Sequence, residues 1–277
     1  MKRLVALYRS PTYSPAQHRG NDTAILDATI AGLERRGWQV ARAGESDVAA
    51  GRLPPADLYV NMCQGPAASE RLLALVPNQA LAVNPPESVL NCHRHRLVGK
   101  MRAAGLPFPR TVIVPTADPQ TAVPLVHLLN GDGSPVWVKR GDVHAETSAD
   151  VVAARETNIE QAIEAFARRG IARVALQAHV PGPIVKFYAI ADGRFFSWYA
   201  ADGERDLAIS NQSLRQLVFA AARAVGLEVF GGDVAFPTPD SPVLIDLNDW
   251  PSFAPVRAAA AAAIAAYVDD KASTGSR

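Results

Sequence analysis

The sequence predicts an α/β chain in which an open parallel sheet, Rossmann-like in pattern, precedes lobes of α+β character. Three observations carry this. Strand-length apolar runs alternate with helix-period segments up to residue 86, as in a parallel sheet with crossover helices. The double proline Pro85-Pro86 ends that alternation. Beyond it, apolar runs come in neighbouring pairs joined by turn residues, above all Asp192-Gly193, the dipeptide that suits a tight antiparallel hairpin.

Taken in order, Leu4 to Tyr8 forms the first strand, followed by the polar loop RSPTYSPAQHRG and by NDTAILDATIAGLERRG, whose apolar residues recur at helical spacing and which stops at Gly37. QVARA (39–43), ADLYVNMC (56–63) and LAVNPP (81–86) continue the strands, with SERLLALV as a helix between the last two. Residues 1–86 therefore read as an N-terminal domain. Ligands of such sheets sit at the carboxyl ends of the strands, where the loop bearing Arg9, His18 and Arg19 is placed.

Residues 87–110 connect, mostly as one helix over 88–104 ended by Gly105. Residues 111–175 read as a lobe of their own: TVIV, the strand VWVKR, a polar stretch over 141–150 with too little apolar content to be core, the strand VVAAR, and a helix opened by Thr157-x-x-Glu160. A third block, 176–269 with VALQAHV at its start, holds VKFYAIADGRFFSWYA, the helix SLRQLVFAAARAVG, the pair VFGGDVAF and VLIDLN, and an alanine-rich closing helix over 258–266. Residues 270–277 are expected to fray as a flexible tail.

Composition narrows the function classes. With 48% hydrophobic and 20% charged residues, the chain is a globular protein rather than a disordered one. A net charge of +1 supplies no global field for nucleic acid or an anionic membrane, so neither partner is expected. The apolar stretches are strand-length or alanine-heavy, Pro11 interrupts any leader-like core, and the two cysteines lack CxxC spacing. A cytoplasmic protein acting on small molecules is the expectation, with a homodimer left open.

The chemistry concentrates near the C-terminus. In a strand, Asp246 and Asn248 point to the same side, and pairing VFGGDVAF with VLIDLN brings Asp233 opposite Asp246 or within one residue of it. Three oxygen donors without histidine or cysteine suit Mg²⁺ or Mn²⁺, ions that complete their shell with water and nucleotide phosphates. The same spacing is met equally well if Asp246 is a hairpin residue salt-bridged to an arginine and Asp233 a turn residue. A P-loop is excluded, because no GxxxxGK[ST] occurs.

From Asn84 to Val268 the chain resembles the ATP-grasp superfamily, in which an acid on one strand and an acid-x-Asn on the next hold the two magnesium ions under ATP. The resemblance implies an ATP-grasp fold preceded by a pre-ATP-grasp domain. It makes Asp233, Asp246 and Asn248 metal ligands, with ATP and Mg²⁺ (or Mn²⁺) as cofactors. It also assigns nucleotide contacts: Arg94, eleven positions before Gly105 of Gly105-Leu106-Pro107-Phe108-Pro109; Lys139 ending VWVK; the hinge Gln177-Ala178-His179-Val180; and Lys186 in VKFYAI. Lys186, Arg257 and His144 are the expected catalytic groups, and Arg9, His18, Arg19 and Ser252 the expected acceptor-binding ones.

Two departures stand out. The loop after Lys139 reads RGDVHAETSAD, poor in the glycines that usually close over phosphates. The metal strand continues as Asp-x-Asn, Trp250 and Pro251, which is similar to the inositol phosphate kinases of the same fold. An ATP-dependent ligase joining a carboxylate to an amine is slightly favoured; a small-molecule kinase acting on a hydroxyl and a non-catalytic ATP-binding regulator are the alternatives. Residues 92–96 (Cys-His-Arg-His-Arg) are not expected to chelate, since His93 and His95 would face different sides of a helix, and Trp137, Trp198 and Trp250 are expected in the core.

Overall fold

In the computed structural model, which describes residues 2–13, 19–76, 80–131, 133–143, 147–204 and 207–275, the predicted order of elements is largely recovered in three four-stranded sheets. The first sheet is parallel and runs β2-β1-β3-β4, from β1 (Arg3–Tyr8), β2 (Gln39–Gly44), β3 (Leu58–Asn61) and β4 (Leu81–Val83). Its central strands are apolar from Leu4 to Leu7 and from Leu58 to Val60 because both faces are covered. Leu4 and Ala6 pack on one side under α1 (Arg19–Glu34), while Val5 and Leu7 pack on the other with Val48 and Leu72 from α2 (Glu45–Ala49) and α3 (Pro66–Leu75).

The connecting segment is two helices rather than one: α4 (Pro86–Cys92) and α5 (Arg94–Ala103) break at His93, whose ψ of 130° is extended. His93 is buried with Nε2 3.2 Å from the Gln64 carbonyl oxygen, so a tertiary contact overrides a continuous helical pattern.

The second sheet is antiparallel, β5-β8-β6-β7, from β5 (Thr111–Pro115), β6 (Val136–Arg140), β7 (Val151–Ala154) and β8 (Arg173–Gln177). VALQ thus completes the lobe before it instead of opening the third block. Covering this sheet are α6 (Val123–Leu129), a helix not expected from the sequence, and α7 (Ile159–Ala167). The Thr157 cap does not form. A 3₁₀ turn over Glu156–Asn158 leads into α7, and Asn158 Oδ1 accepts from the Arg155 backbone N–H instead. Within the stretch 141–150, expected to lie outside the core, Val143 and Asp150 are nonetheless buried, the latter against the guanidinium groups of Arg140 and Arg169.

The third sheet runs β10-β9-β11-β12, from β9 (Ile184–Ile190), β10 (Phe196–Ala200), β11 (Val229–Ala235) and β12 (Val243–Asp249), all antiparallel. The Asp192-Gly193 hairpin joins β9 to β10 as expected, with Gly193 at φ +78°. One face carries α8 (Asn211–Val225), capped by Ser210 and stopped by the left-handed Gly226. The closing helix α9 (Arg257–Gly275) extends past residue 270, where fraying was expected, and lies between this sheet and α1. Its alanines permit that approach: a Cβ on Gly32 of α1 would stand 3.0 Å from the Ala265 methyl. No helix among the described residues is long and apolar enough to cross a membrane.

Asn84 ties the first domain to the third sheet. Fully buried at φ +53°, it donates from Nδ2 to the Val229 carbonyl (2.7 Å) and accepts at Oδ1 from the Glu228 and Val229 N–H groups (2.8 and 2.9 Å). Asn84→Ala leaves buried backbone groups unpaired in a left-handed conformation that alanine disfavours, and is expected to cost about 3 kcal/mol in urea unfolding. A loss below about 1 kcal/mol would refute this role.

Candidate active site

The centre of the site is the pairing of β11 with β12, where Asp233 lies directly opposite Asp246. The register then slips, Val234 pairing with Leu244, so Ile245 has no partner on β11. This bulge turns the Ile245 carbonyl out of the ladder, where it accepts a 3.2 Å hydrogen bond from Lys139 Nζ. Gly232 is required here, since a Cβ would fall 2.2 Å from the Asp246 carbonyl oxygen.

Three cations from three elements converge on the carboxylates. Arg94, at the start of α5, donates from Nη2 to Asp246 Oδ2 at 2.7 Å while its Nη1 holds the carbonyls of Arg140 and Val143. Lys186 on β9, in register with Asp233, donates to its Oδ1 at 2.7 Å. Lys139 is buried, and that burial brings its pKa down to about 8 against the raising influence of Asp246. Lys186 is raised instead: the field of Asp233 and the hydrogen bond to it outweigh its partial burial.

Two cavities meet at this point, of about 300 and 320 Å³, room enough for small-molecule groups. Lys186, Asp233 and Asp246 line both. One is bounded by Lys139, Trp137, Val151, Ile184, Ile245 and the hinge Gln177, Ala178, His179 and Val180. The expected nucleotide contacts are thus brought together around one hollow, apart from Arg94, which approaches from behind Asp246. Trp137 is half-buried in this wall rather than in the core, its Nε1 3.3 Å from His179 Nδ1. Facing the same side of the sheet as Lys139 two residues on, it could have been read from strand alternation.

The other cavity is bounded by Arg9, Tyr13, Asp22, Gln64, Tyr188, Tyr199, Asn248, Asp249 and Ser252. Arg9 and Ser252 both line this cavity, but Arg9 is already engaged: it salt-bridges Asp22 at 3.2 Å and donates to the carbonyls of Asp249 and Trp250. Arg257 lines neither cavity; it opens α9 and donates to Asn21. His18, His144 and the Arg19 side chain lie outside the described residues and groups. Gln64, Tyr188 and Tyr199 were not singled out from sequence, because only the assembled sheets bring them to the site. Tyr188 lies 3.3 Å from Tyr199, oxygen to oxygen, and burial raises its pKa.

The architecture is similar to that of solved structures. D-alanine–D-alanine ligase from Bacillus anthracis superposes with a TM-score of 0.70 at 10% identity, over 98% of this chain and 97% of that one, and in its complex with ATP at 0.66. A RimK domain ATP-grasp protein from Sphaerobacter thermophilus gives 0.65 at 19% identity, over 96% and 99% of the two chains. The ATP-grasp ligase PsnB, in complex with a minimal precursor, gives 0.63 at 16%, over 97% and 99%. The chain has the ATP-grasp fold. No protein-family model matches the sequence, and no curated protein is similar to it in sequence.

Within this ATP-grasp fold the donor set fits a hard cation. Asp233, Asp246 and Asn248 offer oxygen only, and among the described residues no cluster of three or more His, Cys, Asp or Glu forms an all-protein cage. Two carboxylates and a carboxamide leave coordination positions for water and phosphate, the arrangement magnesium prefers. His93 and His95 take no part: His95 Nδ1 lies 2.9 Å from the Gly141 carbonyl oxygen.

Lys139 gives the site a pH signature. With its pKa near 8, Lys139 is mostly charged at neutral pH and loses its proton as pH rises through that value. A polyphosphate bound beside Lys139 would stabilise the charged form, so above pH 8 its binding would take up a proton and weaken, by up to about tenfold per pH unit. Calorimetry with a non-hydrolysable ATP analogue between roughly pH 7 and 9.5 checks this, and Lys139→Met should bind more weakly at pH 7 with a flat profile.

Proposed function

We propose that the chain is an ATP-dependent ligase that joins the carboxylate of a small molecule or peptide to an amine. The observation that carries this reading is the meeting of two cavities at Lys186, Asp233 and Asp246. A phosphoryl group leaving a nucleotide in one hollow has its acceptor waiting in the other, with the charged groups at the junction. Phosphoryl transfer asks a protein mainly for positioning and for charge at the transferring group.

Asp233, Asp246 and Asn248 would hold magnesium, which supplies charge neutralisation for the triphosphate when bound. Lys139 and Lys186 add fixed positive charge from two sides, and Arg94 a third from behind Asp246. Gln177 to Val180 and Trp137 form the wall for the base. The acceptor's carboxylate oxygen forms a bond to the γ-phosphorus as the bond to ADP breaks. The amine then attacks the acyl carbon, inorganic phosphate departs, and the nitrogen loses a proton.

The charge of the acceptor cavity favours a carboxylate over a polyphosphate. Among its described lining residues the cations are Arg9 and Lys186, both in ion pairs, against four carboxylates, Asp22, Asp233, Asp246 and Asp249. A phosphate-laden polyol would need a denser free basic patch. The names of the structural neighbours, a D-alanine–D-alanine ligase and an ATP-grasp ligase complexed with a precursor peptide, point the same way.

Incubation with Mg²⁺, ATP and pooled metabolites bearing carboxylates or hydroxyls tests the assignment. Phosphate release that depends on an added amine supports a ligase; a stable phosphorylated alcohol would establish a kinase instead, and no turnover a regulator. Asp246→Asn is expected to lower the rate by at least about 10²-fold with the circular dichroism spectrum unchanged. A near-normal rate would contradict the role given to Asp246.

A further inference from the structure

Both carboxylates at the cavity junction are held by cations of the protein itself. Arg94 reaches Asp246 at 2.7 Å with both side chains largely buried, and Lys186 reaches Asp233 at the same distance. Arg94 is fixed from its other nitrogen by the carbonyls of Arg140 and Val143, so it cannot swing aside without giving up those bonds. Lys186 is more mobile in principle, its side chain 44% exposed to the cavities.

We propose that these ion pairs close the metal site to free divalent cations and that a triphosphate opens it, so that metal and nucleotide bind as a unit. The inference rests on the metal role of Asp233 and Asp246 proposed above and adds a rule for what they accept. A divalent ion arriving alone meets carboxylates whose charge is already balanced, and it must either displace Arg94 and Lys186 or sit beside two like charges. In a half-buried site that repulsion is poorly screened. A metal–triphosphate complex brings its own anion. Its phosphate oxygens offer Lys186 a replacement partner, so Asp233 can turn to the metal as Lys186 turns to phosphate, while Arg94 keeps its bonds to Asp246 and to the carbonyls of Arg140 and Val143. Charge stays balanced throughout, and no buried group is left unpaired. The same exchange selects ligand chemistry: a metal with a polyphosphate can complete it, whereas a bare metal or a nucleoside cannot.

Manganese, read by electron paramagnetic resonance, tests this without turnover. Wild-type protein should bind Mn²⁺ alone at least about tenfold more weakly than it binds Mn²⁺ with a non-hydrolysable ATP analogue, after correction for metal bound to free analogue. Lys186→Met, which removes the more exposed cation and leaves the Arg94 bonds intact, should shift the two affinities in opposite directions. Mn²⁺ alone binds about tenfold tighter and the metal–analogue complex more weakly. Simple damage to the fold would weaken both, and comparison with Arg94→Lys, which keeps the charge but loses the fork, gives a second reading. Equal affinity of the wild type for Mn²⁺ with and without nucleotide, or no tightening in Lys186→Met, would overturn the proposal. No protein-bound manganese under any condition would instead remove the metal assignment beneath it.

Discussion

The Arg94–Asp246 ion pair is the contact on which the rest of the site depends. One guanidinium, almost wholly buried, holds the carboxylate of β12 from one side and the carbonyls of Arg140 and Val143 from the other. It therefore links the connecting helix, the base of the loop after Lys139 and the antiparallel sheet. A buried charge of this kind contributes little net stability, since desolvation offsets most of the attraction, but removal of either partner is costly. Its worth lies in fixing where the lobes meet, and the two cavities open on either side of that point.

A second buried network binds the N-terminal domain to the same strand. Arg9, at the end of β1, donates to the carbonyls of Asp249 and Trp250 and salt-bridges Asp22, while Gln64 donates to Asp249. The segment it grips is strained: Trp250 and Phe253 both sit at positive φ, 41° and 49°, unusual for bulky side chains. Burial of both rings and the grip of Arg9 hold that conformation, which sends Pro251 and Ser252 into the proposed acceptor cavity three and four residues after Asn248. The residue expected to bind an acceptor thus shapes the wall that an acceptor would meet.

Much of this was legible in the sequence because it follows from period and pairing. Alternation along β12 put Asp246 and Asn248 on one side, and counting back from the turn put Asp233 opposite Asp246 or within one residue of it; the register makes the two directly opposite. What the sequence concealed depends on contacts distant along the chain. The break at His93 answers a carbonyl on Gln64, and the burial of Asp150 answers Arg140 and Arg169. The bulge that frees the Ile245 carbonyl for Lys139 has no local signal at all. Nor could spacing distinguish a metal ligand from a salt-bridged hairpin residue, and Asp246 carries the arginine partner that the second of those readings required.

The most direct test of the account is an anomalous difference map from crystals grown with Mn²⁺ and a non-hydrolysable ATP analogue. Manganese peaks between Asp233, Asp246 and Asn248, with the base against the Gln177–Val180 wall and the triphosphate running past Lys139 to Lys186, are the expected result. A nucleotide bound elsewhere, or one seated there while Arg94 and Lys186 keep both carboxylates and no metal density appears, would contradict it.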